Sequence, residues 1–514
     1  MEEIGPFSSP FLQQQMSMQR RGKSRLLPPP ATSIKDLNAD TLAQCTSSIS
    51  LQDLSNFAVT CKYLRKMAYS DAIWERLFRE RWPQKTLPSA ISITSGFREA
   101  YLSRRMDGLQ FKFSDPFTLH IMNTNSNPFD QVLLNEKDLI FSQGSVIRTI
   151  STDGWLSGTP VALRLSGGHS ERITCMRNLD INCRLFPLNE TSLYLHKLYK
   201  PEKVLVTSSD DSSIRLWRKG YCWRQFRGHS SQVTTLSDKL LGNGAGKVFA
   251  SGGEDGTVRL WSLSFSRKQG KHSLGTFFGH KNPIQLMSVS MYEFFPCNDM
   301  DSFENVSCDF GDTFYSIVMV WDTEAALLAS SSFAGGATSV LGYPIGIKCH
   351  EHLAYVAAGS SVVAIDLRTM QKVVIAAADA ILYSFQAMPS KSLFCVGSNG
   401  RAMLYDTRRN LGTLNSEPIV VDGGHGGPVT YLHMDPYKIV TGSPVDTHFN
   451  VLDVNTGALT NSLTCIEYGT NNSTRCCALA VNGSRIVIGS VNDVEEVGCL
   501  LFRDFANANR MSAL

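Results

Sequence analysis

The stretch ASGGEDGTVRLWSL at residues 250–263 combines a hydroxyl, a carboxylate and an indole at fixed offsets. Asp255 follows Ser251 by four residues and precedes Trp261 by six, and His229 lies upstream in a Gly-His pair. Apolar residues that alternate beside a Glu-Asp-Gly turn indicate two strands of a β-hairpin. Because a repeat would determine the whole architecture, the first question is whether this pattern recurs along the chain.

The pattern recurs in full 44 residues earlier in the chain. TSSDDSSIRLWRK at residues 207–219 aligns with residues 251–263, and the Gly-His pair Gly168-His169 precedes it. A period of 44 residues is typical of a four-stranded propeller blade. The two copies resemble the WD repeat, and this resemblance implies a β-propeller.

The resemblance also gives the four side chains a structural role. In WD repeats, the indole, hydroxyl, imidazole and carboxylate form one buried hydrogen-bonded network. The two complete sets are His169, Thr207, Asp211 and Trp217, and His229, Ser251, Asp255 and Trp261. A His-Ser-Asp set is also compatible with a catalytic triad. We favour the structural role because a catalytic triad would not repeat with the period of a blade.

Weaker copies extend the series in both directions. Two more Gly-His pairs occur, at Gly279-His280 and Gly424-His425. Strands that match the Trp-containing strand recur at Val318–Thr323, Val362–Thr369, Ala402–Arg409 and Phe449–Gly457. Degenerate copies open the series at Lys137–Thr152 and close it at Ser484–Phe505. We expect an all-β WD-repeat propeller of seven or eight blades, with the complete network in two of them and packing alone in the others.

Two segments are longer than the repeat requires. Leu185–Lys203 lengthens one connection, and Glu293–Asp312 carries six acidic residues without a Lys or Arg. We interpret the acidic segment as a solvated loop, with a contact for a basic partner as the alternative.

Composition limits the classes of function. Of 514 residues, 43% are hydrophobic, and the formal net charge of +3 gives no strong field for nucleic acid or a membrane. The 13 cysteines include no Cys-x-x-Cys pair, and the sequence shows neither a signal peptide nor a long apolar run. We expect an intracellular chain, cytoplasmic or nuclear, with reduced thiols and without metal or cofactor.

The N-terminal part differs from the repeats. Residues 1–31 are typical of a disordered tail, in which Arg20–Arg25 resembles a nuclear-import patch. In residues 32–82, apolar residues at helical spacing predict several short helices with one small core. That spacing relates Leu54, Phe57, Cys61 and Leu64, and again Ile73 and Leu77 beside Trp74.

This N-terminal module resembles an F-box. The similarity is carried by Leu37 to Leu42, Ile49 to Leu54, Thr60-Cys61-Lys62 and Ile73-Trp74. The sequence departs from the F-box pattern at Asn38, Cys45 and Leu51. We therefore assign residues 1–31 to a tail, 32–82 to an F-box, 83–108 to a linker helix ended by Asp107-Gly108, 109–507 to the propeller and 508–514 to a C-terminal tail.

An F-box followed by a WD propeller resembles the substrate receptors of SCF-type ubiquitin ligases, plant members included. The resemblance implies that the F-box docks on a Skp-type adaptor, which connects it to cullin and a RING subunit. The propeller would then hold a protein substrate for ubiquitination, and the chain itself would catalyse nothing. The implied adaptor-binding residues, each of which could equally belong to the module's own core, are Leu37, Leu42, Ile49, Leu54, Phe57, Ile73 and Trp74.

Substrate is expected on the propeller face that carries the Asp-containing turns. Alignment within the repeats places eight residues around its opening: Arg172, Thr174, Asp210, Gln232, Thr234, Glu254, Gln285 and Thr430. A phosphorylated degron stays an open possibility, although Arg172 is the one arginine that the alignment places there.

Two other classes of function remain as alternatives. One is a WD-repeat scaffold without ligase activity, and the other is an enzyme. Gly242–Val248 imitates a phosphate-binding loop but lacks its first Gly and its final Ser or Thr. Cys349–His352 suggests a metal site, but alternate strand residues face opposite sides of a sheet. Neither segment therefore supports the enzyme alternative.

Overall fold

The computed structural model describes residues 51–81, 96–111, 116–124, 128–152, 154, 164–180, 203–218, 220–240, 248–263, 273–292, 302–310, 315–322, 331–333, 336–408, 417–422, 424–465, 474–492 and 497–506. The chain divides into two compact units, Met1–Lys85 with Thr94–Tyr101, and Thr86–Ile93 with Leu102–Leu514. Outside the described residues lie the predictions for the tails, Arg20–Arg25, Leu37, Asn38, Leu42, Cys45 and Ile49.

The first unit is helical. It contains α1 (Leu51–Thr60), α2 (Lys62–Ala68), α3 (Asp71–Arg81) and the first residues of α4 (Phe97–Gln110). Short helices were expected here, and the helical spacing that relates Leu54 to Leu64 is interrupted at Cys61, between α1 and α2. Cys61 is the N-cap of α2, with its Sγ accepting a hydrogen bond from the Leu64 backbone N–H at 3.5 Å. The predicted end of α4 at Asp107-Gly108 is wrong, since the helix continues to Gln110.

In the part of the chain that the structure describes, the second unit contains eight sheets, one for each blade, and the four strands of each blade pair antiparallel with their neighbours. Blade 1 consists of β2 (Gln131–Leu134), β3 (Asp138–Gln143), β4 (Val146–Ser151) and β5 (Arg164–Gly168), and blade 2 consists of β6 (Ile173–Asp180), β7 (Lys203–Ser209), β8 (Ser213–Arg218) and β9 (Tyr221–Arg227). Blade 3 contains β10 (Val233–Leu236), β11 (Val248–Gly253), β12 (Val258–Ser262) and β13 (Gly275–Phe278). Blade 4 contains β14 (Ile284–Tyr292), β15 (Ser302–Phe310), β16 (Tyr315–Asp322) and β18 (Gly336–Leu341).

Blades 5 to 7 follow the same up-and-down order. Blade 5 consists of β19 (Pro344–His350), β20 (Leu353–Ala358), β21 (Ser361–Asp366) and β22 (Lys372–Ala377). Blade 6 consists of β23 (Ser384–Met388), β24 (Leu393–Gly397), β25 (Ala402–Asp406) and β26 (Val420–Asp422). Blade 7 consists of β27 (Tyr431–Met434), β28 (Lys438–Gly442), β29 (His448–Asp453) and β30 (Leu459–Thr464). A 3-10 turn, Pro389–Lys391, joins β23 to β24.

Blade 8 closes the ring by joining the two ends of the propeller sequence. Its inner strands are β31 (Thr474–Asn482), β32 (Arg485–Asn492) and β33 (Val497–Asp504), and its outer strand is β1 (Phe117–Thr124). β1 pairs antiparallel with β33, so that Leu119 lies opposite Phe502. The eight-blade prediction, which depended on both degenerate copies, is confirmed.

The four predicted copies of the Trp-containing strand are the third strands of blades 4 to 7. The residues at the Trp position, Trp321, Ile365, Tyr405 and Leu452, are all buried. Indoles at this position also pack against the preceding blade, because Trp261 lies 5.5 Å from Phe226 of β9 between ring centroids, and Trp321 lies 5.0 Å from Phe277 of β13. A large side chain at this position therefore connects blades as well as strands.

The acidic segment is not simply the solvated loop that its composition predicted. Ser302–Phe310 forms β15 in the middle of blade 4, and Asp309 within it is fully buried. The strand β17 (Ser331–Phe333), which lies between β16 and β18 in the sequence, joins blade 3 as a fifth strand and pairs parallel with β13. Residues 293–301 and 311–312 lie outside the described residues, as do most of Leu185–Lys203 and of Gly242–Val248.

Cysteine pairing differs from the prediction that every thiol is reduced. Cys465 at the end of blade 7 and Cys476 in β31 form a disulfide, with a Cα–Cα distance of 6.4 Å. In the part of the chain that the structure describes, no helix is long and apolar enough to cross a membrane. Within the same part, no three His, Cys, Asp or Glu side chains are grouped as metal ligands, Cys349–His352 included.

Candidate functional site

The blade 3 network explains the offsets of the decisive stretch. Trp261 Nε1 donates to Ser251 Oγ at 2.7 Å, and the same Oγ lies 2.7 Å from His229 Nε2. Because Oγ accepts from the indole, its own hydrogen is available to Nε2, which leaves the imidazole proton on Nδ1. Nδ1 then donates to the Asp255 carboxylate, whose oxygens lie 3.1 and 3.0 Å away.

Blade 2 repeats this geometry with Thr207 in place of Ser251. Trp217 Nε1 and His169 Nε2 each lie 2.8 Å from Thr207 Oγ1, and His169 Nδ1 lies 3.1 Å from Asp211. Burial lowers the pKa of His169 and outweighs the opposing effect of the nearby Asp211 carboxylate. Burial acts to raise the pKa of Asp211, but hydrogen bonds from Ser213 and the charge of His169 hold it well below its usual range.

Blade 4 carries a third network, which corrects the prediction that only two blades have one. His280 Nε2 lies 2.7 Å from Ser307 Oγ, and Trp321 Nε1 donates to the same oxygen at 2.6 Å. His280 Nδ1 lies 3.1 Å from Asp309, although the two atoms are not aligned as a hydrogen bond. The offsets differ from those of blade 3, because Asp309 lies within β15 rather than in the following turn.

Blade 7 retains the network without the indole. His425 lies 2.9 Å from Thr441 Oγ1 through Nε2 and 2.6 Å from Asp446 through Nδ1. Leu452, which is buried, occupies the position of Trp. In all four blades the imidazole side chain is fully buried, so the His and hydroxyl pairs stabilise the blades and do not face a substrate.

The networks fix a ring of backbone segments around one face of the propeller. We call it the loop ring; it consists of the segments that join successive blades and the turns between the second and third strands of each blade. Within blade 2, the Asp210 backbone N–H donates to Arg172 O at 3.0 Å, and within blade 3 Glu254 donates to Gln232 O at 2.8 Å. Between blades 5 and 6, the Leu382 N–H donates to Gly359 O at 2.8 Å. Each of these hydrogen bonds joins a segment between two blades to a turn of the loop ring.

The structure separates the predicted rim residues into two groups. Arg172, Gln232, Glu254 and Thr430 are exposed on the loop ring, and Asp210 is half-buried there. Arg172 Nε donates to Asp130 at 2.7 Å, so its guanidinium already has a carboxylate partner. Ser231 Oγ donates to Glu254 at 2.6 Å.

The other rim residues connect blades. Thr174 Oγ1 donates to Val233 O of blade 3 at 2.5 Å, and Thr234 Oγ1 donates to Ile284 O of blade 4. Gln285 Oε1 accepts a hydrogen bond from the Tyr343 hydroxyl at 3.2 Å. The two threonines are therefore placed to hold adjacent first strands together rather than to contact a partner.

A cavity of about 380 Å³ opens among the first strands of blades 1, 6, 7 and 8. Its walls include Leu133, Gln386, Thr430, Tyr431 and Leu479. Burial raises the pKa of Tyr431 to about 12, and its hydroxyl donates to Cys476 O at 3.2 Å. Thr430 thus belongs both to the loop ring and to the wall of this cavity.

Sequence reasoning missed the exposed apolar residues of the loop ring. Leu341 and Tyr343 lie before blade 5, and Ile381 and Tyr383 lie before blade 6, all of them exposed. The available signal was the short connections LGYP and ILYS, in which apolar residues occupy positions where polar turn residues are usual.

Four of the predicted adaptor-binding residues lie in the described part of the helical unit. Leu54, Ile73 and Trp74 are buried within that unit, and Phe57 is half-buried. Trp74 Nε1 donates to Ala68 O at 2.7 Å, and its ring makes an edge contact with Tyr101 at 5.5 Å. Val59 is exposed on α1. The buried three therefore belong to the core of the module.

Comparison with known proteins agrees with the repeat geometry. The family model "WD domain, G-beta repeat" matches residues 162–218 and 220–262. Each match contains the last strand of one blade and the first three strands of the next, so the sequence repeat is offset from the blade by one strand.

Curated proteins with similar segments come from fungi and a plant. Nuclear distribution protein PAC1-2 of Uncinocarpus reesii is 32% identical over 91 residues, which is 17% of this chain and 18% of that protein. Nuclear distribution protein PAC1 of Arthroderma otae is 35% identical over 79 residues, 15% of this chain and 16% of that protein. Type II inositol polyphosphate 5-phosphatase 15 of Arabidopsis thaliana is 25% identical over 131 residues, 22% of this chain and 11% of that protein.

The chain spans less than a fifth of the length of these relatives. The similarity is therefore evidence for WD repeats and not for the function of any one relative. Together with the eight sheets, it shows an eight-bladed propeller that contains WD repeats.

Proposed function

We propose that this chain is the substrate receptor of an SCF-type ubiquitin ligase. The N-terminal module would dock on a Skp-type adaptor and, through it, on cullin and a RING subunit. The observation that carries the proposal is the pairing of an F-box-like helical unit with a propeller in one chain. Each unit has its own buried core, as expected for two modules with separate partners.

The mechanism would be proximity rather than chemistry by this chain. A substrate held on the loop ring would have its lysines at high effective concentration beside a charged conjugating enzyme. The networks of blades 2, 3, 4 and 7 support this role, because they fix the loop ring in one conformation before a substrate arrives. A preformed surface loses less conformational entropy on binding.

A pull-down of the full chain with a purified Skp-type adaptor tests the proposal. The informative variant is Val59→Ser, because Val59 is exposed and its loss should weaken adaptor binding without unfolding the module. Lys66→Ser, exposed on α2, is the matched control. Leu54→Ala is unsuitable as a contact test, because truncation of a buried leucine costs about 2–5 kcal/mol of stability.

The alternative is a WD-repeat scaffold outside any ligase. It is favoured by the comparisons, in which the family model matches repeats alone and two relatives are named nuclear distribution proteins. If circular dichroism shows that the wild-type chain is folded and the chain nevertheless retains no adaptor, the scaffold function is supported and the receptor function is refuted.

A further inference from the structure

The loop ring exposes an unusual amount of apolar surface on one side. Five side chains form what we call the apolar arc: Tyr315, Leu341, Tyr343, Ile381 and Tyr383, with exposed fractions between 42% and 62%. Scattered exposed apolar residues are common, but a contiguous group marks an interaction site.

Backbone contacts show that the arc is contiguous. Tyr315 at the start of β16 pairs directly with Leu341 at the end of β18. Tyr343 O accepts a hydrogen bond from the Gly359 N–H at 3.0 Å, and Gly359 O accepts from Leu382, between Ile381 and Tyr383. The arc therefore runs along the loop ring from blade 4 to blade 6.

The other side of the loop ring is acidic. Asp130, Glu171, Asp210 and Glu254 lie on blades 1 to 3, and we call them the acidic cluster. Burial raises the pKa of Asp210, with the three neighbouring carboxylates adding to the effect and Arg172 opposing it. The four acidic groups therefore lie close enough to interact, and Arg172 is paired with Asp130.

We propose that the loop ring binds a protein segment that carries a Lys- or Arg-rich block beside an apolar block. The apolar block would cover the arc, where tyrosines supply large contact areas at low entropic cost. The basic block would lie over the acidic cluster, which would set the orientation of the segment and speed its association. This inference rests on the proposed function, since it names the class of substrate for the same face.

The same charges argue against a phosphorylated segment. A phosphate at blades 1 to 3 would meet the carboxylates of Glu171, Asp210 and Glu254, and Arg172 Nε already donates to the nearly buried Asp130. Phosphate recognition depends on arginines that are available for bidentate contacts.

Fluorescence anisotropy with the full chain and labelled synthetic peptides tests the proposal. The probes are a peptide with a Lys/Arg block followed by a Leu/Tyr block, its counterpart with Asp/Glu in the basic block, and a phosphoserine version. We expect the basic–apolar peptide to bind best, with an affinity that falls as salt is raised. Tyr343→Ala and Tyr383→Ala should each weaken binding about fivefold or more.

The remaining variants test whether the basic half of the peptide lies over the acidic cluster. Glu171→Gln with Glu254→Gln should weaken binding a fewfold and flatten its salt dependence. Arg172→Ala should leave binding unchanged or strengthen it. Tyr221→Ala is the control, because Tyr221 is even more exposed than the arc tyrosines but lies on the outer strand β9.

Two results would overturn the inference: preference for the phosphoserine peptide with loss of binding in Arg172→Ala, or folded chain that binds none of the peptides. The adaptor pull-down separates this outcome from failure of the proposed function. Adaptor binding without peptide binding refutes the substrate class alone. Peptide binding without adaptor binding refutes the ligase role and leaves the surface assignment supported.

Discussion

Replacement of Ser251 by Ala tests whether the repeated network stabilises the propeller. Ser251 Oγ is the shared atom of the blade 3 network, because it accepts from Trp261 Nε1 and lies beside His229 Nε2, each at 2.7 Å. Its removal leaves two buried polar atoms without their partner, at about 1–3 kcal/mol each. We therefore expect Ser251→Ala to lower the apparent free energy of unfolding by about 2–6 kcal/mol.

The double variant makes this reasoning quantitative. In Ser251→Ala/Trp261→Phe the unpaired indole N–H is gone, so the combined loss should be smaller than the sum of the single losses by about 1–2 kcal/mol. Denaturant unfolding followed by far-ultraviolet circular dichroism measures each value without depending on Trp fluorescence. Ser231→Ala is the control, since its hydroxyl contacts Glu254 at the surface. Strict additivity, or a Ser251→Ala loss no larger than that of the control, would refute the network's role.

Three other variants or conditions give separate predictions. Asp309→Ala should lower the melting temperature because it strips the buried Nδ1 of His280 of its carboxylate, and a wild-type melting curve would contradict the third network. Ser212→Gly should raise stability by about 0.5–1 kcal/mol, because Ser212 has a φ of 60° in a turn; a decrease in denaturation midpoint would count against this. Because the pKa of His169 is lowered in the folded state, stability should fall as pH drops below about 6.5, and fall again below about 4 as Asp211, whose pKa is also lowered, is protonated. Melting curves between neutral and acidic pH measure this, and stability that rises on acidification would show the sign to be wrong.

The architecture was predictable because it depends on local patterns. Period-two alternation and turn residues identified the third strand of each blade even where Trp is replaced, as at Ile365 and Leu452. Both residues are buried as that position requires. The blade count followed from adding the degenerate copies at each end, which blade 8 then unites through β1 and β33.

The third network was not predictable from the offsets of the first two. Ser307 and Trp321 are 14 residues apart, whereas Ser251 and Trp261 are 10 apart, because the second and third strands of blade 4 are longer than those of blade 3. Asp309 reaches His280 from within a strand, so its position in the sequence indicated nothing about its partner.

The exposure of the predicted rim residues was only partly predictable. Alignment placed them on or beside the loop ring, but it did not distinguish Thr174, which donates to the next blade, from Gln232, which faces solvent. It also gave no means to find Tyr343 or Tyr383, since burial of an apolar residue depends on which other segments cover it. Exposure is a property of the assembled ring rather than of a single repeat.

Buried network residues and exposed residues lie side by side on one turn of blade 3. His229 and Asp255 hold the backbone of the loop ring from below, with their side chains buried or nearly so. Glu254, the residue before Asp255, projects outward on the same turn and is exposed. Substitution at Glu254 can therefore change the charge of the surface without removing any network hydrogen bond. A substitution at His229 would disturb the position of every exposed residue on the turn. The residues that specify the fold and those that would contact a partner thus alternate along the same short segment.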